Sequence, residues 1–344
     1  MKKLVLATLL AAATGLASAQ TIYGVVDLGV TTATNVEGTT KRASGISNGG
    51  LSTSRFGITG GEDLGNGLKA SFTLEGEILA DTGAQGTAST DLFHRSAFLK
   101  LEQAGAGSVR LGRMNRLDYT SAIKYDTFGG NNIGGWVASN SGTVSLNVAE
   151  RVSNTVEVST ASIGGVVLTA QYGFGETAGA VQAGRTMGVG ADFTAGRFSA
   201  AANYTEKNAT TGEYASTKTT SAYAAYDLGV ARVTGGYARV EVDAQTAKPS
   251  GYFVGATVPV TSKVKVLAQY NAFDNDAGAK PKTYALGATY GFSKRTTGYV
   301  IGARSSQDNG SAQNVVSTSK YNGFDSPAAG LNQTVASVGI RHTF

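Results

Sequence analysis

The chain has no cysteine and only four prolines among its 344 residues. Without thiols there is neither a disulfide framework nor a thiolate metal site. A secreted soluble chain of this length often uses disulfides, so their absence points away from that class. Few prolines, together with 47 glycines in no three-residue period, exclude a collagen-like or disordered chain. Charge is sparse as well: Asp, Glu, Lys and Arg make up 15% of the residues. Yet the mean hydropathy is only −0.07, and no run beyond residue 19 approaches the roughly 18 apolar residues of a membrane helix. No 3.6-residue period persists after residue 19, and no domain boundary is visible. The two histidines, His94 and His342, have no nucleophile and acid at a recognisable spacing. No phosphate loop or metal-ligand spacing occurs either. Neither an enzyme nor a bound cofactor or metal is therefore expected.

What the chain does have is alternation. In residues 53–78 two arms flank a Glu-Asp-Leu-Gly-Asn-Gly turn. Phe56 and Ile58 lie on one side of the first arm, with Arg55, Gly57 and Thr59 on the other. In the second arm Leu68, Ala70, Phe72, Leu74 and Ile78 oppose Lys69, Ser71, Thr73, Glu75 and Glu77. A period of two sorts side chains onto opposite faces of a strand. The pattern recurs at 22–33, 93–102, 108–115, 151–160, 166–174, 186–194, 198–206, 220–228, 230–242, 252–260, 263–271, 282–292, 297–306 and 333–344, which predicts sixteen strands. Connections alternate between short turns and long loops rich in Asn, Thr, Ser and Gly; residues 116–148 form the longest irregular stretch.

The first residues read as an export signal. Lys2 and Lys3 precede an apolar run, and Ala17-Ser18-Ala19 is a small-residue cleavage site. The expected organisation is a cleaved signal peptide at 1–19 and a single domain at 20–344. Cleavage removes two lysines from a formal charge of +5, which leaves little reason to expect nucleic acid as a partner. Aromatics such as Tyr23, Phe93, Phe174, Tyr204, Tyr226, Tyr252, Tyr270, Tyr290, Phe292 and Tyr299 sit near strand ends, as in the interfacial girdles of membrane barrels. In the last strand Ala336, Val338, Ile340, His342 and Phe344 share a face, and the strand runs to the final residue. In lipid an unpaired strand edge costs several kcal/mol, so such a strand pairs with the first one. The oily face then points to lipid and the polar face to a water-filled interior. The expected fold is all-β: a 16-stranded antiparallel transmembrane β-barrel.

These stretches together resemble the general porins of Gram-negative outer membranes, especially the beta-proteobacterial and neisserial-type branch. The matching segments are IYGVVDLGV at 22–30, SRFGITGGEDLGNGLKASFTLE at 54–75, the Phe93–Arg95 segment, VRLGRMN at 109–115, Arg151 with Asn154-Thr155-Val156, and the terminal VGIRHTF. The resemblance implies an outer-membrane homotrimer surrounded by lipid, each barrel a passive channel for small hydrophilic solutes and ions. It also implies a third long loop folded inward as a constriction. On the same resemblance, Arg55, Arg95, Arg113 and Arg151 form the basic side of the narrowing. Glu75, with the loop residues Asp118 and Asp126, forms the acidic side. The loop departs from the enterobacterial Pro-Glu-Phe-Gly-Gly pattern, reading Asp-Thr-Phe-Gly-Gly at 126–130. Arg304 is also expected on a lumen face. Arg95 shares the parity of Ala97, Leu99 and Leu101, so it needs a bulge or a place beyond the strand to reach the lumen. Phe344 is the barrel-closing terminal residue. An excess of arginine over acid implies modest anion preference. A substrate-specific channel or a secreted all-β adhesin are the alternatives.

Overall fold

The computed structural model describes residues 20–36, 39–86, 91–139, 145–146, 151–210, 215–243, 245–316, 324 and 327–344; the expected signal segment, 1–19, lies outside them. The strands are β1 (Thr21–Thr34), β2 (Arg42–Asn48), β3 (Arg55–Gly65), β4 (Leu68–Leu79), β5 (Ala84–Gln85), β6 (Ser96–Gln103), β7 (Gly107–Asn115), β8 (Arg151–Thr160), β9 (Val166–Gly173), β10 (Thr186–Ala195), β11 (Phe198–Asn208), β12 (Ser216–Asp227), β13 (Arg232–Val242), β14 (Ser250–Pro259), β15 (Val264–Asp274), β16 (Lys282–Gly291), β17 (Thr296–Ser306) and β18 (Thr334–Thr343). They pair antiparallel with their sequence neighbours, and β18 returns to β1 from Val25↔Thr343 to Ala33↔Val335. Both β2 and β3 pair with β1, at its two ends, so they form one interrupted stave. The two-residue β5 pairs only with β4, in a separate ladder. The result is a closed 16-stranded barrel, one continuous sheet rather than a sandwich. Part of the loop expected before Gly50 is thus strand β2. Among the described residues no helix is long and apolar enough to cross a membrane.

Closure is completed beyond the ladder: Gly24 and Phe344 exchange backbone hydrogen bonds of 3.0 and 3.1 Å. A Cβ on Gly24 would lie 2.3 Å from the Phe344 ring, so glycine there lets the terminal ring lie flat on the first strand. Outward positions carry Val30, Leu99, Leu111, Val254, Leu286, Val300, Val338 and Ile340, all exposed. In water such a surface would aggregate; facing lipid it is solvated. Tyr204, Tyr226, Tyr252, Tyr290 and Phe292 are exposed on this outer face, as a girdle requires. Tyr23 and Tyr299 differ from expectation. Tyr23 donates to Glu75 Oε2 at 3.0 Å and Tyr299 to Asp27 Oδ1 at 2.8 Å, both within the barrel.

The interior is not uniformly polar. Among its described residues, the loop between β7 and β8 holds two helices, α1 (Leu117–Tyr125) and α2 (Trp136–Ser139). Neither was legible as a period, because α1 buries Asp118 and Ser121 as well as Leu117, Tyr119, Ala122 and Tyr125. Trp136 packs edge-on against Phe253 (5.1 Å) and Phe273 (5.9 Å), and Tyr125 stacks on Tyr223 at 6.0 Å. Phe128 and Ile133 pack with Leu267, Ala285, Tyr299, Ile301 and Ala303. Burying a side chain of this size is worth roughly 1.5–3 kcal/mol, so four of them hold the loop as a fixed wall. Small inner residues make room for it: a Cβ on Gly255 would sit 2.1 Å from Thr127 Oγ1. Polar ties finish the seat. Thr127 N–H donates to Gln269 Oε1 at 2.8 Å, Asn271 Nδ2 to Gly134 O at 3.1 Å, and Asn132 Nδ2 to Leu51 O at 2.7 Å.

Within the loop, Asp126 accepts the Phe128 N–H at 2.7 Å through Oδ1 and the Trp136 N–H through Oδ2. Burial pushes its carboxyl up to about 6, with the backbone donors pulling the other way. An unpaired buried N–H costs about 1–3 kcal/mol, so Asp126→Ala is expected to loosen the loop. In planar bilayers it should give noisier open channels with little change in reversal potential. A quiet channel whose reversal potential moves strongly toward anions would instead make Asp126 a charge facing the solute path. Gly255→Val, which drives a side chain into Thr127, is expected to leave the barrel folded but to broaden the distribution of single-channel conductances. A distribution as narrow as wild type would refute the proposed seat.

Candidate functional site

Where the loop approaches the wall formed by β3, β4 and the start of β6, it bounds a cavity of about 610 Å³. Its wall residues include Arg55, Glu75, Arg95 and Arg341; its loop residues include Tyr119, Thr120, Lys124 and Asn132. Strand parity puts Arg55 and Glu75 inside: Arg55 stands opposite Val25 and Glu77, and Glu75 opposite Gly57. Arg95 reaches the same place because it lies just before β6, where it is free of the parity of Ala97, Leu99 and Leu101. Its backbone N–H still pairs with Glu75 O at 3.1 Å.

These wall charges meet one another rather than facing a partner across the lumen. Glu75 takes Arg95 Nε at 2.6 Å, Arg55 Nε at 3.3 Å and the Tyr23 hydroxyl at 3.0 Å. Behind them, nearly inaccessible Glu77 lies 3.7 Å from both Arg95 Nη1 and His94 Nε2. Arg55 also donates to Thr53 O at 3.0 Å. Glu75 is therefore the counter-ion that lets two like-charged guanidinium groups sit side by side, not an acid on the opposite bank.

The loop carboxylates do not supply that opposite bank. Asp118 has no exposed surface and accepts Arg116 Nε at 2.6 Å and its own neighbour's N–H, from Tyr119, at 2.9 Å. Asp126 is committed to the loop backbone, as described above. Lys124 points into the cavity but pairs with Asp192 at 2.7 Å.

The remaining residues separate. Arg151 lies with its Cζ 5.8 Å from the Tyr119 ring centre, behind the ring that lines the cavity. Arg113 stays apart: it stands opposite Ala97 with the parity of lipid-facing Val109 and Leu111. Its Nη1 donates to Ser153 Oγ at 2.6 Å and its Nε to His94 O. Arg304 is exposed, on the outer parity of Val300, and donates to Thr334 Oγ1 at 3.3 Å. The inner positions of its strand are Tyr299, Ile301 and Ala303, which the loop covers; this apolar inner patch reverses the parity that composition suggested. Arg341 was not singled out. It is inward by simple alternation with exposed Ile340 and His342, a parity the sequence does carry.

Comparison with known proteins agrees with this architecture. A family model described as Gram-negative porin matches residues 6–310. Outer membrane porin protein 32 of Delftia acidovorans is 32% identical over 363 aligned positions, covering all of both chains. Major outer membrane protein P.IB of Neisseria lactamica is 28% identical over 375 positions, again covering all of both. Among solved structures, an anion-selective porin from Comamonas acidovorans superposes with a TM-score of 0.83 at 31% identity, covering 95% of this chain and 100% of that one. A closed antiparallel barrel, a loop folded against its inner wall and a charged narrowing between them thus coincide with the sequence match. The chain belongs to the Gram-negative porins, outer-membrane barrels through which small hydrophilic solutes diffuse passively.

Proposed function

We propose that the channel prefers anions, with Arg55, Arg95 and Arg341 setting the sign of the charge at the narrowing. The observation that carries this reading is the fate of the carboxylates. Asp118 is bound to Arg116 and Asp126 to backbone N–H groups, so neither offers charge to the passage. Glu75 is the acid bordering the cavity, where it faces two guanidinium groups. Arginine stays protonated at any working pH, and low-dielectric walls extend the reach of its field. The solved relative described as anion-selective supports the same sign. A general rather than substrate-specific passage fits the inner aromatics: Tyr223, Phe253 and Phe273 are buried under the loop and offer solutes no continuous track.

In a potassium chloride gradient the reversal potential is expected to show chloride preference; clear potassium preference would overturn the reading. Two variants should move it in opposite directions. Arg55→Gln leaves Glu75 and Glu77 facing Arg95 alone and should lower the chloride-to-potassium permeability ratio about twofold or more. Glu75→Gln should raise it.

We also propose assembly as a homotrimer. Support comes from the outer face of β17, β18 and β1, where Val300, Val338, Ile340, Val26 and Val30 are exposed and no tyrosine or tryptophan accompanies them, Phe344 standing only at the chain end. That contrasts with the tyrosine belt of β11–β16. Interfacial tyrosines and tryptophans mark contact with headgroups, so a face without such a belt suits a second copy of the chain. Unboiled samples on a detergent gel should migrate as a trimer and collapse to monomer on heating. Monomer migration before boiling would refute the trimer.

A further inference from the structure

Lumen charges separate into those with a carboxylate at ion-pair distance and those without. Arg55 and Arg95 have Glu75, Arg110 has Glu157, Arg116 has Asp118 and Lys124 has Asp192. Among the described residues, Arg341 and Lys265 have no carboxylate within 4 Å. Arg341 Nη1 donates to Ser52 Oγ at 3.2 Å, and its Nε–H meets no acceptor. The acid behind it, Asp27, is already engaged by the N–H groups of Gly50, Leu51 and Ser52 and by the Tyr299 hydroxyl.

Position adds to charge. Arg341 borders the constriction cavity and also a second cavity of about 460 Å³. The second cavity lies toward the short-turn end, where Lys265 and the hydroxyls of Thr257, Thr289 and Thr297 line it. Its one bordering carboxylate, Asp126, is held by the loop backbone. By contrast, Arg55 and Arg95 have acids at ion-pair distance, Glu75 and Glu77, which offset part of their charge.

We propose that Arg341 and Lys265 form an anion hand-over site between the two cavities, and that this site governs how strongly the channel prefers anions. The proposal rests on the anion-channel reading above and assigns its strength to a different place. The site takes small oxyanions or halides. A guanidinium fork matches the geometry of carboxylate or phosphate, the hydroxyls supply further donors, and an ammonium attracts any anion as a point charge.

The test is the reversal potential in a potassium chloride gradient for wild type, Arg341→Gln, Arg341→Lys, Lys265→Gln and Ser52→Ala, each confirmed as folded by heat-modifiable migration. Arg341→Gln is expected to lower the chloride-to-potassium ratio about threefold, more than Arg55→Gln does. Arg341→Lys should retain most of the ratio. Ser52→Ala, which cuts the hydrogen bond but keeps the charge, should leave it unchanged. Lys265→Gln should lower it, and its side chain makes no described hydrogen bond that folding could depend on. A normal ratio in Arg341→Gln or Lys265→Gln, beside an anion-selective wild type, would overturn the hand-over site alone. A loss in Ser52→Ala equal to that in Arg341→Gln would reassign Arg341 to holding the wall. A wild type without anion preference would remove both this proposal and the reading beneath it. If Arg341→Gln does not fold, Arg341→Lys and Lys265→Gln still decide.

Discussion

No backbone group can be left unpaired in a bilayer, because hydrocarbon offers no hydrogen-bonding alternative. Every larger feature of this protein follows from that constraint. A sheet without edges must close, so β18 returns to β1 and the chain ends where it can exchange backbone bonds with Gly24. Closure around sixteen staves then leaves an interior too wide for side chains from opposite walls to meet. That space is filled by chain rather than by side chains. The loop carrying α1 and α2 lies on the inner wall, and the passage is what remains between it and β3, β4 and β6.

Filling a wet interior with a loop sets a second requirement. The loop needs an apolar seat, yet the lumen must stay polar enough to hold water. The barrel meets both by dividing its inner surface. The wall of β11–β17 offers Tyr223, Phe253, Phe273 and Ile301 under the loop. The wall of β3, β4 and β7 keeps Arg55, Glu75 and Arg110. The loop carboxylates Asp118 and Asp126 are then resolved locally, by Arg116 and by backbone, which keeps them out of the solute path.

Much of the barrel was legible because a strand writes its two environments into alternate residues. The order of strands, the short turns and the outward Val338 and Ile340 can be read without a partner. The two short helices could not be, since α1 buries polar and apolar residues alike and leaves no stripe. The site was half legible. Parity placed Arg55 and Glu75 inside, but Glu75 is shared with Arg95, which arrives from outside the alternation altogether. Nothing local in residues 116–126 says whether a carboxylate faces water or its own loop. Arg304 misled because its strand turns an apolar face inward, and that is a property of the loop covering it. Arg341 was readable by parity and overlooked.

The break between β2 and β3 has a consequence for assembly. Residues 49–54 leave the ladder there, and Asp27 on the first strand gathers their N–H groups together with the hydroxyl of Tyr299 from β17. Ser52 within the break receives Arg341 from β18. One corner of the passage is therefore built from the first strands and the last two, far apart in synthesis. A chain whose final hairpin has not docked lacks that corner, however complete its other staves. Arg341 joins the charge pattern only with closure, so a half-inserted barrel would lack its share of the selectivity.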